Sequence, residues 1–187
     1  MKSRHYRITG VSPLIMHNGQ TADPLNRFAK EMRQISSKRM KTEADFERLA
    51  QLEFMAGLYV ENGRPVIPGE VLEAALVQAA KKSKRGKQAQ AGLFCEGNFA
   101  LEYDGPAEPE ALWADPSFRL VAGVRVAQAR IMRTRPKFES WAARVEARYQ
   151  PELLNADEVD RFMETAGSMV GIGDWRPRFG RFETMVI

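Results

Sequence analysis

Residues 140–149, SWAARVEARY, set Trp141, Ala143, Val145, Ala147 and Tyr149 in alternation with Arg144, Glu146 and Arg148. A period of two sends one set to a core face and the other to solvent, so the segment reads as a half-buried β-strand. Toward the C-terminus, Val159, Phe162, Met163 and Ala166 recur at helical spacing over 156–169, with Asn155 or Asp157 as the cap, and 181–187 reads as a closing strand. Toward the N-terminus, 93–103 predicts another strand. Pro68-Gly69 launches a helix over 69–82, with Val71, Leu72, Ala75, Leu76, Ala79 and Ala80 on one side, and residues 4–10 form a first strand broken at Gly10.

The resulting order, strand-helix-strand-strand-helix-strand, is that of the ferredoxin-like split βαβ. The expected class is α+β, with a four-stranded antiparallel sheet backed by two helices, the architecture of RNA-recognition modules, in a single domain spanning 1–187. Two insertions interrupt it. At 20–57 a helical hairpin is predicted. Asp23 is its cap, Pro24 its first helical position, and Leu25, Phe28, Met32 and Ile35 its stripe, followed by a capping box from Thr42 to Asp45 and a second stripe of Phe46, Leu49 and Ala50 to about Met55. At 104–138 an extra β-hairpin is predicted from strands 119–126 and 129–138. Asn62-Gly63 marks a further tight hairpin within 58–67.

A chain of 187 residues, 44% hydrophobic and 28% charged, has enough apolar material for one packed domain, which excludes intrinsic disorder. Cys95 is the single cysteine and His5 and His17 the only histidines, so neither an internal disulfide nor the usual four-ligand zinc cage is available; no metal or other cofactor is expected. No stretch approaches the ~20 apolar residues of a membrane span, and MKSRHYRITG lacks the apolar core of a signal peptide. The expectation is a soluble cytoplasmic protein with no membrane partner.

The net charge of +4 is modest, but its distribution is uneven. Lys81, Lys82, Lys84, Arg85 and Lys87 form one basic run, expected as a flexible loop after the helix. Arg119, Arg125, Arg130, Arg133, Arg135 and Lys137 lie in a stretch without a carboxylate, and Arg176, Arg178 and Arg181 follow near the C-terminus. Acids collect instead at 102–115 and 152–164. One basic face opposite an acidic flank implies an anionic partner such as a phosphate backbone; a merely solvated surface is the alternative. If 129–138 is a strand, Arg133, Arg135 and Lys137 share a face at a spacing of about 7 Å, which suits successive phosphates. Thr134 and Pro136 then take the other face, and Pro136 marks an edge or a projecting hairpin.

The segment GIGDWRPRFGRF, 171–182, gathers glycines, arginines and aromatics. Gly171 and Gly173 allow close backbone approach to phosphates, Arg176, Arg178 and Arg181 supply charge, and Trp175 and Phe179 offer rings on which bases stack. The alternative is a turn whose glycines only meet a need for positive φ and whose Trp175 plugs the core.

Three segments carry a resemblance: the first strand leading into Val11-Ser12-Pro13-Leu14-Ile15-Met16-His17-Asn18-Gly19, the helix start Val66-Ile67-Pro68-Gly69-Glu70-Val71-Leu72, and the glycine-rich run Gly171–Phe182. Together they resemble the repeat-associated mysterious protein (RAMP) superfamily of CRISPR systems, especially its Cas7-like backbone subunits, with the Gly-Asp-Trp-Arg-Pro run most similar to small phage-encoded relatives. The family's helix start usually has a small hydroxyl residue and a lysine further along, whereas here Glu70 and Glu73 occupy that neighbourhood. The resemblance implies an RRM-like core, single-stranded RNA or DNA along the sheet or the glycine-rich loop, assembly into a homo-oligomer or filament along that strand, and, for a phage protein, residence in the host cytoplasm. It also includes metal-independent RNA endonucleases in which a histidine serves as acid or base. Here His17 is the weak candidate for that role, needing Arg133 or Lys137 to balance phosphorane charge. Asp23 and Asp174 are isolated from other acids in sequence, and His5 reads as a sheet residue. The expectation is a binding protein rather than an enzyme. A phage structural or host-interaction protein whose basic face meets an acidic protein is the reading from a different class.

Overall fold

The computed structural model describes residues 1–126 and 129–187. In chain order they form β1 (Lys2–Gly10), β2 (Leu14–Ile15), a 3-10 turn at Gly19–Ala22, α1 (Arg27–Ser36), α2 (Glu43–Gly57), β3 (Val60–Glu61), β4 (Arg64–Pro68) and α3 (Gly69–Lys82). Then come α4 (Gly86–Gly92), β5 (Leu93–Phe94), β6 (Asn98–Ala100), α5 (Pro109–Ala114), β7 (Arg119–Val126), β8 (Ala129–Phe138), β9 (Ala142–Tyr149), α6 (Ala156–Thr165), a π turn at Ala166–Val170 and β10 (Phe182–Val186). The class is α+β, with three antiparallel sheets ordered β10-β1-β9-β5, β2-β8-β7 and β3-β4-β6. No described helix is long and apolar enough to cross a membrane.

Alternation fixes the register of the four-stranded sheet. Tyr6 sits opposite Val145 and Ile8 opposite Ala143, and all four are buried with Leu72 and Leu76 of α3 and Val159, Phe162 and Met163 of α6. A slip by one residue would turn the whole apolar set outward. Asp160 of α6 fastens this layer from the helix side: it accepts hydrogen bonds from Tyr6 Oη at 2.6 Å, from Arg4 Nε at 3.1 Å and from Arg4 Nη2. On the far face His5 pairs with Glu146 and Arg7 with Arg144.

Several expectations need correction. The first inserted helix is capped by Asn26, whose Oδ1 accepts from Phe28 N, and not by Asp23, whose carboxylate accepts from Leu25 N within a preceding turn. The basic run is a short turn rather than a flexible loop: α3 carries Lys81 and Lys82, α4 carries Lys87, and of the run's cations only Lys84 and Arg85 lie between them, because Ala79, Ala80 and Ala89 are all buried and hold both helices to the core. The strand over 93–103 is broken, since the chain bends at Gly97 (φ 78°) around the start of α3, where Gly69 N donates to the Gly97 carbonyl; β6 therefore joins β4 in another sheet. The last helix stops at Thr165 and passes into the π turn. Finally, β8 is central only at Lys137 and Phe138, where β2 joins it, and from Pro136 back to Ala129 its ladder is with β7 alone, which is the projecting hairpin of the two readings of Pro136. Pro136 lies just past the two-residue β2 ladder, where its carbonyl still accepts from Met16 N and a single bond is forgone. Other readings stand. The capping box at Thr42 forms, Asn155 of the two candidates caps the last helix, the Asn62-Gly63 hairpin is present, and β7 and β8 pair from Arg119↔Pro136 to Val126↔Ala129, their connection at 127–128 lying outside the described residues.

Candidate nucleic-acid interface

The glycine-rich segment is tied down at both ends. Ile172 N donates to the Gly180 carbonyl, Gly180 N to that of Pro13 and Asp174 N to that of Ile15, so the loop lies along the strand-like segment 11–16, which itself pairs with β8 through Leu14↔Phe138 and Ile15↔Lys137. Two glycines are required by this lacing. At Gly173 (φ 80°) a Cβ would strike the Ile15 carbonyl, and at Gly180 (φ 71°) the Ile172 carbonyl. The buried Gly171 (φ 75°) serves the turn too. These glycines thus shape the loop, as the turn reading holds, and leave Arg176, Pro177 and Arg178 exposed at its tip.

Trp175 does not plug the core. It is half-buried, tilted 50° to Phe179 with ring centroids 6.2 Å apart, and its φ of 54° lies in the left-handed region. For a bulky residue that conformation costs about 1–2 kcal/mol and is kept only where its surroundings enforce it. Asp174 does so by accepting from Trp175 N through Oδ1 at 3.0 Å.

Asp174, isolated in sequence, is the hub in space. Its Oδ2 lies 3.3 Å from Arg135 Nε and 3.5 Å from His17 Nδ1. His17 is placed by the turn after β2, where Tyr59 Oη donates to the His17 carbonyl at 3.2 Å and Asn18 Nδ2 to that of Leu58 at 3.3 Å. Burial and then the Arg135 charge push the His17 imidazole below its ordinary value, against the pull of Asp174 and Glu53.

Three hollows meet around this hub. One of about 610 Å³ runs between Lys81 and Lys82 at the end of α3 and the stretch Gly173–Pro177. A second, about 390 Å³, shares Gly173, Asp174 and Arg176 with it and reaches His17, Tyr59 and Glu70. The third, about 1100 Å³, begins at His17 and opens between α2 and the β7–β8 hairpin. The first two share three wall residues and the third meets the second at His17, so the three adjoin in a row, the groove, with exposed cations at the α3 end.

The predicted cations divide accordingly. Lys81, Lys82, Arg176 and the half-buried Trp175 converge on the groove. Arg178 is exposed beside it, its guanidinium 5.7 Å from the Phe179 ring centroid, and Arg181 is exposed at the loop's foot, where its N–H donates to Ser12 Oγ. Arg133, Arg135 and Lys137 do share one face, while Thr134, Pro136 and Phe138 are buried on the other, yet all three are ion-paired: Arg133 with Glu53, Arg135 with Asp174, and Lys137 with Glu139 at 3.1 Å. Arg130 is exposed and lines the largest hollow. Arg85 turns away, pairing with Glu158 at 2.8 Å and donating to the Leu153 carbonyl. Lys84 and Lys87 are exposed but line none of these three hollows. Glu53 and Tyr59 join the site without any local sequence signal, whereas Asp174 lies inside the glycine-rich run. Among the described residues no three His, Cys, Asp or Glu groups gather to hold a metal ion.

Neither a family profile nor a curated protein matches this sequence at a significant level.

Proposed function

We propose that the protein binds single-stranded RNA or DNA through its backbone, as a Cas7-like module that assembles along the strand. The observation that carries this reading is the row of adjoining hollows that runs from Lys81 and Lys82 past Trp175 and Arg176 to the His17–Asp174–Arg135 hub. It offers cations and a ring along one path, which is how single strands are held without base readout. The sheet order β10-β1-β9-β5, with α3 between β1 and β5 and α6 between β9 and β10, supports a ferredoxin-like, RRM-like core. The strand is assigned to the groove rather than to the sheet's far face. That face carries Ser3, His5, Arg7 and Thr9 on β1 and Arg144, Glu146 and Arg148 on β9, and its cations are answered by acids, Arg7 by Glu102 and Arg148 by Glu96.

The test is fluorescence anisotropy with labelled single-stranded RNA, single-stranded DNA and duplex of mixed sequence. Binding to a single strand that is lost in the double variant Lys81→Glu/Lys82→Glu, whose side chains are exposed and whose fold should persist, is expected. Absence of binding, or a variant that binds as well as wild type, sinks the proposal.

A second reading has its own support: His17 beside Asp174, with Arg135 on the same carboxylate oxygen, is the arrangement of an oriented base and a nearby cation. It makes the protein a metal-independent RNA endonuclease. In chelator, wild type should then cleave labelled RNA and His17→Ala should not; intact RNA in both removes this reading.

A further inference from the structure

The largest hollow differs in character from the rest of the groove. Its walls are mainly apolar, with Met32, Phe46 and Leu49 on the helical side and Val121, Ile131 and Met132 on the hairpin side. Phe46 is 60% exposed, Val121 57% and Met132 58%, so three large apolar side chains on two facing elements stand open to solvent at one place. Isolated exposed apolar residues need no explanation, but a cluster that lines a cleft marks a contact surface.

The cleft's charge narrows what the surface contacts. Its acidic wall residue is Glu53, and both oxygens of that carboxylate are taken: Oε1 by Arg133 and Oε2 by the backbone N–H of Thr134 at 2.9 Å. Arg130 is exposed on the wall, its guanidinium side packed over Gly123 of the facing strand. An apolar interior with cationic rims and a neutralised acid complements a ligand that is flat and apolar in its body and anionic along its edge. At His17 the cleft joins the hollow lined by Asp174 and Arg176, so a chain lying on the cationic part of the groove passes its mouth.

We propose that this cleft takes unstacked nucleobases of the bound single strand, while the phosphates stay on the cations of the groove. The proposal rests on the single-strand reading above and adds a base-dependent contribution to it. With its acid neutralised, the cleft holds bases by contact with apolar surface rather than by hydrogen-bond readout, which makes it tolerant of sequence.

The test compares wild type with Phe46→Ser/Met132→Ser on two probes of equal length, a mixed-sequence DNA strand and a strand of abasic (tetrahydrofuran) residues with the same phosphates. Wild type is expected to favour the base-bearing strand by at least about tenfold, the scale of one base–side-chain contact. The double variant should lose most of that preference while binding the abasic strand as wild type does. Val121→Ser, on the hairpin wall with Met132, repeats the measurement should the double variant melt early. Equal affinity of wild type for both probes, or an undiminished preference in the variants, overturns the proposal and leaves phosphate-directed binding standing. If wild type binds neither probe this proposal falls, and the single-strand reading falls with it only where labelled single-stranded RNA is not bound either.

Discussion

Asp174 shows how a single carboxylate organises the groove: its backbone N–H is spent on Ile15, one oxygen on Trp175 N, and the other faces Arg135 and His17. The consequence for His17 has a definite sign. Its imidazole titrates below its ordinary value in the folded protein, chiefly through burial, so the unfolded chain takes up the proton first as pH falls. The stability this group contributes is whole above about pH 6.5, the unfolded value, and drains away as pH drops from there through the lowered folded value. Denaturant unfolding of wild type and His17→Asn over that range should show the difference, wild type minus variant, shrinking toward acid. A difference that stays constant or widens contradicts the desolvation of His17 at this site and, second to it, its placement near Arg135. None of this was legible in the sequence, because His17, Arg135 and Asp174 come from three distant segments and meet only when residues 11–16 pair with both β8 and the glycine-rich loop.

Elements whose signals are local were the readable ones. Thr42 with Asp45 forms the capping box at the start of α2, Asn155 caps α6, and alternation placed β9 to within two residues at its start. What escaped was set by long-range contact: the break between β5 and β6 follows from the approach of Gly69 to the Cys95–Gly97 turn, and α4 exists because its buried Ala89 and Gly92 pack inward. The docking of α6 on β1 is likewise tertiary and rests on Asp160, with Arg4 its strongest partner and Tyr6 the second, which hold its carboxyl below the usual value. Replacing it with Ala strands both donors, and hydrogen bonds to a charged group are worth ~1.5–3 kcal/mol, so Asp160→Ala should lower unfolding free energy by about 2 kcal/mol. Because the folded carboxyl titrates below the unfolded one, this contribution is complete above about pH 4 and is lost as pH falls through the folded value, where variant and wild type should converge. Equal stability of the two at neutral pH would show that α6 docks by apolar packing alone.

For the molecule as a whole, what matters is which cations remain available to an anion. A basic run in sequence does not say this, since folding commits Arg85 to Glu158, Arg133 to Glu53 and Arg135 to Asp174, while Lys81 and Lys82 stay exposed on the groove. The salt dependence of strand binding separates the two groups. Each phosphate neutralised on a single strand contributes about −0.7 to the slope of log affinity against log salt. If Lys81 and Lys82 each hold one phosphate, Lys81→Gln/Lys82→Gln should flatten the slope by about 1.4 in total. Arg85→Gln, which carries the same loss of charge per residue from the same basic run, should leave the slope unchanged, because its guanidinium is turned toward Leu153 and Glu158. Net charge alone predicts a different pattern, in which every lost cation weakens binding alike wherever it sits. Salt titrations of wild type and the two variants therefore decide whether the strand follows the groove or merely the positive charge of the surface.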